Sequence, residues 1–89
     1  MNLSPTSGAE LQTTLLALAR DPLSTDESRA EHYRSCMALL LHLSKHDELS
    51  AEMSEASWHF LSDADIRLSE PDYHSNQVTA VLVSAGVAS

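Results

Sequence analysis

The sequence predicts a single acidic all-α domain over residues 1–89, a compact bundle of four helices at about 8–20, 25–46, 48–69 and 72–85 with helix 2 central. Three observations predict it. Apolar residues recur at steps of three and four along most of the chain, which is the helical period. Leu and Ala dominate, whereas Tyr33, Trp58, Phe60 and Tyr73 are the only aromatic residues besides the histidines. The two Gly and three Pro sit at the edges of the periodic segments, where they punctuate rather than interrupt. A chain of 89 residues has room for one core and little stability to spare, so homodimerisation is one way it would gain more.

The first residues, 1–6, read as a short flexible lead. Ser7 and Glu10 then fit a capping box, the Ser7 hydroxyl on the Glu10 amide and the Glu10 carboxylate returning to the Ser7 amide. Leu11, Leu15, Leu18 and Ala19 line one face of helix 1, with Leu16 off that stripe. Asp21-Pro22 stops it, because the residue before proline is pushed out of the α region. Ser24 and Glu27 repeat the capping spacing and open helix 2.

Helix 2 holds the densest apolar run, Cys36–Leu43. Its apolar residues, Tyr33, Cys36, Met37, Leu39, Leu40, Leu41, Leu43 and Ala30, cover an arc of roughly 200°, about twice the usual amphipathic stripe. Such a helix needs neighbours on two sides, hence its central place. No Gly or Pro follows it, but a continuous helix would put Leu49 and Met53 on its polar strip. A break near His46–Leu49 restores both stripes, with Asp47 or Ser50 as the new N-cap.

Leu49, Met53, Ala56, Phe60, Ala64 and Leu68 form the core stripe of helix 3. Pro71 suits a first helical position. Val78–Val83 has strand propensity, yet Val78, Val81, Leu82 and Ala85 keep helical spacing and Gly86 suits the position after a helix end. With no partner strand in view, helix 4 is the reading. Residues 87–89 form a frayed tail.

Five Lys or Arg stand against thirteen Asp or Glu, a formal charge of −8. A cationic surface is what phosphate backbones and anionic membranes require, so neither direct nucleic-acid binding nor membrane association is expected. The N-terminus lacks the basic and apolar regions of a signal peptide. No apolar run approaches the ~20 residues that span a bilayer. A cytoplasmic protein of bacterial or phage type is the expectation.

No pattern specifies a chemistry. The single cysteine, Cys36, lies in the apolar run, where a thiol packs as a small hydrophobe. No Gly-rich loop cradles phosphate, and no serine has the context of a nucleophile. No cofactor and no enzymatic activity are expected. His42 and His46 are four apart and could share a metal ion, but a structural zinc site needs four ligands, so this reading ranks below the others.

Two surfaces suggest a partner instead. Asp47, Glu48, Glu52, Glu55, Asp63, Asp65, Glu70 and Asp72 lie in the second half against one arginine, Arg67. They suit a partner protein with a basic surface, or imitate a nucleic-acid backbone in the groove of a nucleic-acid-binding protein, as phage-type inhibitors do; a plain solvated surface would look the same. The second is a strip along helix 3 formed by Glu52, Glu55, Trp58, His59, Ser62 and Ile66, where an aromatic and an aliphatic residue stand among polar ones; either a partner covers them, or helix 4 or the N-terminal lead does so within the same chain. The expected activity is non-enzymatic: a small regulator, adaptor or inhibitor that works by binding another protein.

The segment Phe60-Leu-Ser-Asp-Ala-Asp-Ile-Arg-Leu-Ser-Glu70 resembles part of the Hha/YmoA family, small helical bacterial proteins that associate with nucleoid-silencing proteins. The likeness covers those eleven residues. The acidity and helix lengths of the rest differ from that family, and no residue role is carried over.

Overall fold

The computed structural model describes residues 2–86, and these form six α-helices and no strand. They are α1 (Gly8–Ala19), α2 (Asp26–Ser44), α3 (Asp47–Ser50), α4 (Glu55–Ser62), α5 (Ala64–Ser69) and α6 (Pro71–Ser84). Among the described residues no helix is long and apolar enough to cross a membrane. The expected tail at 87–89 lies outside the described residues.

The caps explain the boundaries. Ser7 Oγ accepts from the Glu10 amide at 3.2 Å. The Glu10 carboxylate, expected to return to Ser7, accepts instead from both the amide and the hydroxyl of Thr6, at 2.8 and 2.7 Å. That pair of donors holds its carboxyl below the usual range. Helix α2 is capped one residue later than Ser24 would place it. Thr25 and Ser28 exchange side-chain and backbone bonds at 3.0 Å in a full capping box. The turn at Lys45–His46 falls where the phase of the apolar stripes requires it. Pro71 opens α6, and Gly86 follows it with a φ of 76°, the left-handed conformation glycine adopts at low cost.

The expected helix over 48–69 is three helices. After α3 the chain turns through Ala51–Met53, and Ser54 Oγ caps α4 by accepting from the Ser57 amide at 3.1 Å. At Asp63 the helix ends and restarts within one residue. This second break puts the Phe60 carbonyl within reach of the Arg67 side chain, at 2.9 Å.

Helix α2 also departs from expectation. It packs on α3, α4 and α5, while α1 packs mainly against α6. Only one face of α2 is therefore buried, through His32, Cys36, Leu39 and Leu43. Tyr33 and Leu41, inside the predicted apolar arc, are 39% and 59% exposed. The centre is shared: α4 and α5 each contact both α2 and α6, and Phe60, Leu61 and Ala64 are fully buried between them.

The lead at residues 2–6 is tied to two helices. Pro5 is buried, its carbonyl accepting from His42 Nε2 at 2.7 Å. The Thr14 hydroxyl, on the inner face of α1, donates to the Asn2 carbonyl at 2.6 Å.

Candidate functional site

The anticipated strip is only partly assembled. Glu55 and His59, one turn apart on α4, are 90% and 60% exposed, with His59 Nε2 3.6 Å from Glu55 Oε1. An exposed pair of this kind contributes little stability. Ser62 turns its hydroxyl back to the Trp58 carbonyl at 2.8 Å. Trp58 is half-buried and packs against the core. Beyond the kink, Ile66 on α5 is 45% exposed. Glu52 leaves the strip: it lies in the turn after α3, with its carboxylate close against Gly8 at the N-terminus of α1. Acidic charge suits that end of a helix. A side chain at position 8 would meet that carboxylate, so the close approach uses the glycine.

Asp63 joins the strip to α6. Its Oδ2 accepts from the Tyr73 hydroxyl at 2.7 Å and from Gln77 Nε2 at 3.1 Å, and lies 4.0 Å from His59 Nδ1. The bond to this carboxylate pushes the Tyr73 phenol above its ordinary pKa.

Charge is divided sharply along the chain. Between Asp47 and Gly86 the sole Lys or Arg is Arg67, and it is 1% exposed. Asp47, Glu48, Glu52, Glu55, Asp65, Glu70 and Asp72 are all exposed. Helices α3 to α6 consequently present carboxylates to water with no exposed Lys or Arg among them.

The burial of Arg67 creates a polar cluster inside the bundle. Its Nε donates to the Phe60 carbonyl in the last turn of α4, the electronegative end of that helix. Its Nη1 lies 3.0 Å from His32 Nε2 and 3.2 Å from His74 Nδ1, and its Nη2 donates to Cys36 Sγ at 3.5 Å. The guanidinium stacks over the Phe60 ring, 3.8 Å from its centroid. Because arginine only donates, both imidazole nitrogens facing it must accept, and both rings are neutral. The His32 proton is on Nδ1, directed at Asp21 Oδ2 at 3.2 Å.

Burial, and then the Arg67 charge, holds both histidines below their ordinary pKa, against the pull of Asp21 on His32. Asp21, His32 and Cys36, with Cys36 Sγ 3.6 Å from His32 Nε2, follow the order of a nucleophilic triad. Yet Cys36 is fully buried, and burial pushes its thiol up. Its sulfur is closed off from solvent by the surrounding helices.

His42 and His46 stack at 4.1 Å with 27° between their planes. His42 Nε2 donates to the Pro5 carbonyl and His46 Nδ1 to the His42 carbonyl. Among the described residues no three His, Cys, Asp or Glu side chains are grouped as metal ligands. A groove of about 520 Å³ between α1 and α6 is floored by Leu11, Leu15 and Val81, and Glu52 is its one ionisable group. It offers no acid–base pair.

Arg67 is the residue that sequence reasoning passed over as a counter-charge. A signal existed: it lies seven residues after Phe60, two helical turns on, and so on the core side of the same stripe. No known family model, curated protein or solved structure matches this chain.

Proposed function

We propose that this protein acts in the cytoplasm as a non-enzymatic regulator or inhibitor that binds a protein with a basic surface. Helices α1, α2 and α6 serve as scaffold, and the contact runs along α4 and α5 with Glu55 and His59 at one end and Ile66 at the other. The observation that carries this reading is the exposure of Ile66, at 45%, on a surface whose one arginine is buried. An exposed aliphatic residue among carboxylates gives a partner both an apolar anchor and a charge to steer toward. Trp58, half-buried, supports the helix from behind and does not lead the contact.

The same carboxylate surface suits a nucleic-acid mimic, and salt separates the two. Contact through many phosphate-like charges weakens steeply from low to moderate salt, whereas contact anchored on Ile66 weakens less. The test is capture from an extract of the native host at both salt concentrations, using wild type, Ile66→Ser and Tyr33→Ser. A protein retained by wild type and Tyr33→Ser but lost with Ile66→Ser supports the reading. Equal capture by all three removes it.

A further inference from the structure

The buried cluster is not used by the proposed contact, and its hydrogen bonds have a consequence of their own. Arg67 on α5 holds α2 through His32 and Cys36, α4 through the Phe60 carbonyl and α6 through His74. Two of those bonds exist only while an imidazole nitrogen keeps its lone pair.

We propose that this cluster is an acid-released latch, in which protonation of His32 and His74 sets two imidazolium ions against the Arg67 guanidinium and loosens α5 from α2 on one side and from α6 on the other. The proton that His32 would gain goes to Nε2, the nitrogen 3.0 Å from Arg67 Nη1. Every neighbour bears on this. Asp21, from the loop after α1, is the one carboxylate touching His32; bonded to Nδ1 it favours the protonated ring, but burial and the Arg67 charge outweigh it. Cys36 from α2 is a neutral thiol. The Phe60 ring from α4 meets His32 edge-on at 5.9 Å. His74 from α6 meets it at 6.3 Å, so a charge on one ring opposes a charge on the other. Asp63 and Tyr73 act on Arg67 from farther out and favour its charge.

Both histidines have folded pKa values below their ordinary 6.5. The closed form therefore binds fewer protons than the open one. The latch is closed above the unfolded pKa and is lost as pH falls from there through the folded values. At about pH 5.5, one unit below the unfolded value, each histidine shifts the opening equilibrium by up to about tenfold, and the pair by up to about a hundredfold.

Cys36 reports the state of the latch, being fully buried and bonded to Arg67. The experiment measures its modification by dithiodipyridine at about pH 7.5, 6.5 and 5.5. Each rate is divided by that of the chain unfolded in guanidinium at the same pH, which removes the reagent's own pH dependence. Wild type should lose protection progressively by about pH 5.5, by up to roughly a hundredfold. His74→Asn keeps an acceptor toward Arg67 but takes up no proton, and should halve that loss on a logarithmic scale. His32→Gln with His74→Asn should abolish it. His74 is only half-buried, so its single variant decides the matter even where the double variant fails to fold. Flat protection in wild type, or the same loss in His74→Asn as in wild type, overturns the proposal.

Discussion

Replacing Arg67 by Ala and, separately, by Met divides what its side chain does into two measurable parts. Either change removes the donors to the buried Phe60 carbonyl and to His32 Nε2, and each orphaned acceptor costs ~1–3 kcal/mol. Either change also returns a guanidinium to the desolvation balance, a relief of several kcal/mol. Those opposed effects are common to both variants. Only Ala loses the buried aliphatic stem of Arg67, and Met refills its space. The Ala variant should therefore be the less stable of the two by about 2 kcal/mol, the low end for truncating a buried Met to Ala. Against wild type, the Ala variant should lose about 2–4 kcal/mol and the Met variant about 0–2 kcal/mol. Urea denaturation followed by the fluorescence of Trp58, the only tryptophan, reads all three proteins. An Ala variant within about 0.5 kcal/mol of wild type, as at an ordinary surface site, would show that the guanidinium does not occupy the core.

One-sided burial of α2 predicts that Leu39→Ala costs ~2–5 kcal/mol while Leu41→Ser stays within ~0.5 kcal/mol, both read by urea denaturation; similar losses would restore a second neighbour for α2. The observed cap predicts that Thr25→Ala costs ~1 kcal/mol in a thermal melt and Ser24→Ala much less, and the reverse order would move the start of α2. Ultraviolet titration of the two tyrosines should show the Tyr73 phenolate forming above the ordinary range, because its proton is held by the Asp63 carboxylate. Any stability from that bond is present below the unfolded phenol pKa of about 10 and is lost as pH rises through the folded value. Asp63→Asn should bring the titration back down, and a titration unchanged by that variant would break the link from α5 to α6.

The helical fold was legible in the sequence wherever period and punctuation agreed. Leu11, Leu15 and Leu18 marked α1, the phase conflict at Leu49 and Met53 marked the turn after α2, and Pro71 with Gly86 bracketed α6. The breaks at Ala51–Met53 and Asp63 were not legible, for different reasons. Ser54 is an effective cap, but with Ser57 rather than Glu or Gln three residues on it lacks the usual box pattern. The kink at Asp63 answers to tertiary contacts, with Arg67 pointing in to Phe60 and Asp63 held by Tyr73 and Gln77 from α6. Local propensity carries neither contact. The one-sided burial of α2 depends likewise on where α1 packs. The candidate strip was legible as a set of residues and less so as a surface. A helical wheel cannot foresee that Glu52 would turn toward Gly8 or that a kink would separate Ser62 from Ile66.

The most direct test of the binding account is Ile66→Ser measured in two ways on one preparation. Urea denaturation gives the stability of the free chain, and capture from host extract at low salt gives association. The account predicts stability within ~0.5 kcal/mol of wild type, as for a surface site, together with at least a tenfold loss of capture. A stability loss of ~1–3 kcal/mol with capture intact would instead show that Ile66 is covered within its own chain, and would contradict the account.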